Sequence, residues 1–396
     1  MHANELTALR ADQVGSLLRP APLKAAFTDY LLGLITASEL RQVQDEAIRE
    51  VIFAQEAHGL PVVTDGEFRR FHFMESFGEV AGMEPWKAQL TETIQTLDAA
   101  ESSAGEPPRR GTDPTLHTRR PVSGRLRLIR NRPLEELTFT LGIAVSPVKV
   151  TLLSTDRICQ GYDAEASRHI YASNEEFLAD VIAVQRQIVQ GLVDGGCRYI
   201  QIDGPSYTRY VDAASLEVMR ARGEDPLQSL ERAIAADNAV IAGFPEVTFG
   251  MHLCRGNRRS LWHREGAYDA IAERLFQGLR HQRLLLEYDT PRAGTFEPLR
   301  FVPRGKVAVL GLITTKVGRV ETLDELQRRI DEAARFLPLE QIALSPQCGF
   351  SSDLYGNQIT EDQQWRKLDV LVETARRVWG RAGEPGRFAG FNGTPR

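Results

Sequence analysis

Short runs of β-branched and apolar residues recur along the chain, separated by longer segments whose apolar positions fall at helical spacing. The strand-like runs are residues 11–15, 60–65, 146–151, 198–203, 246–253, 283–288, 306–313 and 341–345. Helical segments lie at 36–58, 173–194, 226–243, 265–281, 321–336 and 360–380. Two of these carry visible start signals: Ser173 precedes Glu176 at capping-box spacing, and Thr360 precedes Glu361 and Asp362. Eight strands with intervening helices predict an α/β fold, a (β/α)8 TIM barrel, although a doubly wound sheet of this length shows the same alternation.

Residues 76–145 break the rhythm. They hold the Pro/Gly-rich stretch SSAGEPPRRGTDP and the alternating run VSGRLRLIR, which predict a hairpin or flap inserted between strands 2 and 3. From Arg109 to Arg132 there are eight arginines and one aspartate, Asp113. Such a run is either a solvated face or a landing surface for an anionic substrate or partner. The barrel is expected to span residues 1–380 as one domain. Residues 381–396 continue a Gly/Pro-rich stretch read as a tail, or as an arm onto a neighbouring subunit of a homo-oligomer.

Charge narrows the function. With 48 Lys+Arg against 53 Asp+Glu, the net charge of −5 offers no global positive field, so neither nucleic acid nor an anionic membrane is expected as partner. The apolar runs are strand-sized and the first residues are charged where a signal peptide is apolar, so a cytoplasmic location is expected. The four cysteines are too scattered for a disulfide framework, which leaves metal binding or catalysis as their special roles.

In a parallel barrel, functional groups sit at the C-terminal ends of the strands. His252 and Cys254 end one predicted strand, Glu287 ends another, and Cys348 follows a third. Imidazole, thiolate and carboxylate are ligands that Zn²⁺ accepts. A His-x-Cys pair alone is equally two core residues on one strand face. Four such groups on one rim point to a metal.

The segments VGSLLRP, TDGEFRRFHFMESF, IQIDGPS, MHLCRGN, LLEYD and SPQCGF together resemble the catalytic barrel of cobalamin-independent methionine synthase and its single-barrel relatives, over about residues 11 to 380. The resemblance implies zinc held by His252, Cys254, Glu287 and Cys348, and methyl transfer to a small-molecule thiol such as homocysteine. A free thiol is mostly protonated at neutral pH, and coordination removes that proton. Four protein ligands normally make a closed site, so Glu287 is expected to yield its place or the metal to accept a fifth ligand. The resemblance assigns Glu67 and the neighbouring Asp203 to a substrate ammonium, and the Gly15–Ser16 turn to its carboxylate. Each also has a plainer reading: a carboxylate at a strand end braces a loop, and a glycine makes a tight turn. Asp65, before an Asp-Gly turn, is read as structural. His72, within Arg69–Phe73, either shapes a pocket for a planar or anionic ligand or belongs to an exposed loop.

Two departures from the family pattern bear on the donor. No second, N-terminal barrel is expected here, and GLITTKVGRVE stands where the synthase has an acidic Asp-x-His segment. This form resembles the epoxyalkane:coenzyme M transferase branch. The expected donor is therefore a methylcorrinoid, free or on a corrinoid carrier protein, rather than methyltetrahydrofolate. Lys316 either meets an anionic group on the substrate or bridges to Glu321. Competing readings are a zinc-dependent enzyme that opens an epoxide or cleaves a C–S bond, and a non-catalytic metal protein that docks a methyl carrier. Cys159 and Cys197 are assigned to packing, and His58, His169, His263 and His281 to the surface or to helix ends.

Overall fold

The computed structural model describes residues 3–84, 86, 110, 111 and 119–380. Six consecutive strands form one parallel sheet in sequence order: β3 (Lys149–Leu153), β4 (Tyr199–Asp203), β5 (Thr248–Leu253), β6 (Arg283–Glu287), β7 (Val307–Ile313) and β8 (Ile342–Pro346). Every residue of these strands is buried, as expected where both faces of a parallel sheet are covered. The two remaining predicted runs complete the circle through single bridges. Val63 pairs with Val148 beside β3, and Ala11 pairs with Leu344 of β8. They meet each other where Leu17 N donates to Gly66 O (3.1 Å), Gln13 Nε2 to Val62 O (3.1 Å) and Thr64 Oγ1 to Gly15 O (2.6 Å). The fold is thus the expected (β/α)8 barrel. Its first two staves are irregular because side chains supply part of their pairing and Pro61 has no N–H to give.

The helices that matter here are α1 (Ala3–Thr7), α2 (Ala21–Leu31), α3 (Ala37–Ala57), α4 (Arg132–Leu141), α5 (Thr155–Gln160), α6 (Asn174–Asp194), α7 (Ala213–Ala221), α8 (Pro226–Ile241), α9 (Ala272–Gly278), α10 (Leu323–Ala333) and α11 (Glu361–Trp379). Capping explains several boundaries. Thr36, Thr322 and Thr360 each form a reciprocal capping box, and Ser173 caps α6 by accepting from Glu176 N. Helices α2, α4, α5 and α7 were not expected from the pattern, and α9 is shorter than the predicted 265–281. The inserted segment does contain an antiparallel pair, β1 (Glu79–Ala81) with β2 (Arg127–Arg130), followed by α4. Asn131 caps α4 by accepting from Leu134 N, and its own amide donates to Ile188 O on α6 (3.1 Å). The tail 381–396 and most of 87–118 lie outside the described residues. No helix among the described residues is long and apolar enough to cross a membrane.

An ionic plug fills the barrel at the end away from the rim. Asp12 sits between Lys149 Nζ (2.8 Å) and Arg283 Nη2 (3.0 Å) and accepts from Tyr199 Oη (2.5 Å), and the three charged side chains are completely buried. Burial disfavours the Asp12 carboxylate, but Lys149 and Arg283 outweigh it and hold its pKa below the usual range. Asp12→Ala should therefore destabilise the protein by about 3–5 kcal/mol, because two buried cations lose their counter-charge. Denaturant unfolding measures this; a loss no larger than that of a surface substitution would rule out the plug as a stability element.

Candidate metal centre

The C-terminal ends of β5, β6 and β8 deliver His252, Cys254, Glu287 and Cys348 to one spot. One ligand atom from each lies within 4.8 Å of the others. The two sulfurs are 3.5 Å apart. Among the described residues, both ring nitrogens of His252 are buried without a hydrogen-bond partner, an arrangement that is costly unless another group takes one of them. The contact with Cys348, then His252 and Gly256 N (3.2 Å), hold the Cys254 pKa well below the usual thiol value, while the same contact and burial push that of Cys348 up. Glu287 is fully buried. Burial and the Cys254 charge push its carboxyl up to about 7 against the pull of Arg292 and Lys316. Its Oε1 accepts from Arg255 N (2.5 Å) and its Oε2 from Arg292 Nη2 (3.1 Å). Two sulfurs, one imidazole and one carboxylate form a donor set that fits zinc.

A second acidic group adjoins the cluster. Asp203 ends β4 in register with His252 on β5. Burial first, then Glu67, raises its carboxyl to about 7, with His252 opposing. Its Oδ1 accepts from Gln201 Nε2 (2.8 Å), and Gln201 Oε1 in turn accepts from Lys149 Nζ (2.9 Å), so the plug reaches up to the rim. Glu67 lies just past the second stave in left-handed backbone, φ 61°, directly after Gly66 at φ 69°. A non-glycine residue there is strained by roughly 1–3 kcal/mol and persists only where its surroundings hold it. Here they do: Asp65 Oδ1 accepts from Glu67 N (2.9 Å), while Glu67 O accepts from Arg19 Nη2 (2.9 Å) and Arg70 N (3.0 Å). Asp65 therefore has the structural task expected of it. The Glu67 side chain is buried; Oε1 accepts from Thr151 Oγ1 (2.8 Å), and Oε2 has no hydrogen-bond partner among the described residues.

The Gly15–Ser16 turn packs between these parts. A Cβ at Gly15, φ +148°, would stand 2.5 Å from Thr151 Cγ2 and 3.5 Å from Glu67 Oε1, so only glycine fits without displacement. Ser16 Oγ accepts from Ser351 N (3.3 Å), three residues beyond Cys348. Arg19 donates to Ser351 O and Asp353 O on one side and to Glu67 O and Arg70 O on the other, clamping the acidic turn to the loop that carries Cys348.

Two expectations change. Lys316 neither bridges to Glu321 nor offers a free ammonium: it is buried and donates to Gly256 O (2.9 Å), Asn257 Oδ1 (2.8 Å) and Leu261 O (3.3 Å), bracing the loop after Cys254. Glu321 pairs instead with Lys367 (3.0 Å). His281 is not at the surface but fully buried, and burial pushes its pKa down to about 3. His72 is half-buried and caps the 3-10 turn Phe73–Phe77 by accepting from Met74 N (3.3 Å). Cys197 is buried, as expected of a packing residue.

The basic insertion is largely neutralised. Among its described arginines, Arg110 pairs with Asp212 (2.9 Å), Arg119 with Glu224 (3.2 Å), Arg125 with Asp180 (3.1 Å), Arg130 with Glu135 (2.5 Å) and Arg132 with Glu75 (3.7 Å). That leaves little of the bare positive surface an anionic partner would need. Arg110 and Arg119 border a cavity of about 580 Å³ whose lining contains none of the cluster residues, nor Glu67 or Asp203. Thr151 and Glu136 were not singled out in the sequence, because they act through side-chain contacts with distant segments, and Arg292 acts on Glu287 and Asp289 just before it. Arg19 and Arg70 stood in motifs already quoted, VGSLLRP and TDGEFRRFHFMESF, without a role assigned to either.

The fold and the site define a class: a parallel (β/α)8 barrel whose strand ends gather four side chains that could hold a metal ion, beside a buried acidic pair. The family model described as the catalytic domain of cobalamin-independent synthase matches residues 10–377, and the chain belongs to that family. This places it among methionine-synthase-like methyltransferases. It is 39% identical over 376 residues to the Bacillus subtilis protein YxjH, itself uncharacterized, covering 93% of this chain and 94% of that one. The methionine synthase of Pyrococcus abyssi is 22% identical, covering 94% of each chain. A solved structure of a putative vitamin-B12-independent methionine synthase from Listeria monocytogenes superposes with a TM-score of 0.65 at 27% identity, covering 95% of this chain and 99% of that one. A family described as cobalamin-independent lends no support to the expected methylcorrinoid donor or corrinoid carrier protein.

Proposed function

We propose that this protein transfers a methyl group to a small amino-acid thiol, homocysteine being the first candidate, at a zinc ion held by His252, Cys254, Glu287 and Cys348. The observation that carries the reading is the four ligand atoms within 4.8 Å of one another, with Asp203 in electrostatic contact with both His252 and Glu67, whose Oε2 is buried with no hydrogen-bond partner among the described residues. Bound zinc would supply the Lewis acidity that keeps a substrate thiol deprotonated at neutral pH. The chain does the rest. Glu287 has a backbone N–H and a guanidinium already on its oxygens, so it is the ligand that can be displaced at least cost. Glu67 and Asp203 draw in and orient the substrate ammonium, and the Gly15–Ser16 backbone receives its carboxylate.

The donor we infer is a methyl carrier other than a corrinoid, with a methylated reduced folate first, in keeping with the family description and with archaeal relatives named methionine synthase. The zinc-loaded protein should make methionine from homocysteine and methyltetrahydrofolate faster than from homocysteine and methylcobalamin at equal concentration. A faster corrinoid reaction would restore the donor first expected. No methionine from either would count against thiol methylation. Epoxide opening needs a cation at the leaving oxygen, Lys316 or an arginine, and Lys316 has its donors engaged.

A further inference from the structure

Behind Glu67 stands an arginine that could cancel its charge. Arg70 is buried with its Nη1 only 3.5 Å from Glu67 Oε1. Left to itself, a buried guanidinium beside a buried carboxylate closes into a two-pronged ion pair. It does not do so here because another carboxylate holds it. Glu136 on α4 accepts from Arg70 Nη2 (2.6 Å) and from Arg70 Nε (3.1 and 3.2 Å). The remaining nitrogen, Nη1, donates to Thr151 Oγ1 (2.9 Å), and Nη2 also donates to Thr151 O (3.1 Å). Thr151 Oγ1 in turn donates to Glu67 Oε1 (2.8 Å). The hydrogen bond to Glu67 Oε1 thus comes from a hydroxyl, with the guanidinium held at 3.5 Å in a single-pronged ion pair, and Oε2 has no hydrogen-bond partner among the described residues.

We propose that Glu136, carried by the inserted segment, is a positioning residue for the amino group of the substrate: by engaging Arg70 it keeps the charge of Glu67 free for an ammonium. The inference rests on the reading of Glu67 as the ammonium contact and goes beyond it by giving the insertion a part in substrate selection. The segment is anchored for this task. Asn131 ties the start of α4 to Ile188 O, and the chain beyond it is held where Val145 N (2.7 Å) and Ser146 N (2.8 Å) donate to Glu56 Oε1. Glu136 is itself buried, so water cannot replace it as the partner of Arg70. In Glu136→Gln the neutral amide no longer competes for the guanidinium, which turns to Glu67.

The test is calorimetric titration of the zinc-loaded protein with homocysteine and with its des-amino analogue 4-mercaptobutanoate. It is run at pH 8, above the value of about 7 to which burial lifts Glu136. The parent should prefer homocysteine. Glu136→Gln should weaken homocysteine about tenfold, the scale of one charge-assisted contact, with 4-mercaptobutanoate and zinc content unchanged. In a Glu67→Gln background the same change should add nothing further. If Glu136→Gln folds poorly, Glu136→Asp, which retains the charge but shortens the reach, should show a smaller loss confined to homocysteine. Equal weakening of both thiols, or an undiminished preference in the variant, would reduce Glu136 to a structural brace and overturn the proposal. A parent without preference is a different result: it removes the role of Glu67 first, and this inference with it.

Discussion

Cys348→Ser is expected to lower zinc affinity by at least a factor of about 100, since even groups that only hydrogen-bond a metal ligand contribute 10- to 100-fold. Serine keeps the shape but is not deprotonated at neutral pH, so the site loses one of its two thiolates. The substitution also removes the 3.5 Å sulfur contact that helps to hold the Cys254 pKa down, leaving Gly256 N as a hydrogen-bond donor to that sulfur. Metal analysis after dialysis reads the outcome, and Cys254→Ser should match it. Both variants should lose methyl transfer together with zinc. A variant that keeps about one zinc per chain, or a parent active without metal, would end the assignment of this cluster. The fold should survive in either variant, because the ligands sit at strand ends while the barrel is closed by the sheet and the Asp12 plug beneath it.

The second large effect belongs to Glu67→Gln. An amide has the same shape but no charge, so it should weaken an amino-acid thiol by roughly 2–4 kcal/mol, the range for a buried charge-assisted contact. Zinc content should not change, since Glu67 is not among the four ligands. The strained backbone at φ 61° should also persist, because its bonds run through Asp65, Arg19 and Arg70 rather than through the Glu67 side chain. Loss of zinc along with homocysteine affinity would mean that Glu67 supports the metal cluster instead. Equal affinity of the parent for homocysteine and 4-mercaptobutanoate would remove its ammonium role.

The eight strand-like runs and the common rim of His252, Cys254, Glu287 and Cys348 were legible without coordinates, from local alternation of apolar residues and the rule that the ends of parallel strands share one rim. Glu67 and Asp203 were singled out by the family resemblance. Once His252, Cys254, Glu287 and Cys348 were placed at strand ends, the barrel could bring them to only one side. Helix α4 was less legible, because Pro133 and the basic run around it read as loop while its buried face, with Glu136 and Leu137, becomes meaningful only against the barrel.

Tertiary structure alone decided which partner each charged side chain found. Nothing local distinguishes an Arg70 that neutralises Glu67 from one held back by Glu136, 66 residues away. Lys316 had Glu321 within reach in the chain, yet it turned to Gly256, Asn257 and Leu261, about 60 positions distant, because the fold buries it beside three oxygens that can take its three N–H groups. The insertion's arginines likewise left a solvated face and an anionic landing surface both open until Asp212, Glu224 and Asp180 were seen to pair with Arg110, Arg119 and Arg125. Apolar periodicity is written into each segment and survives any packing, whereas the pairing of buried charges is a competition among all the groups that the fold brings within a few ångströms, and only the folded chain holds the list of competitors.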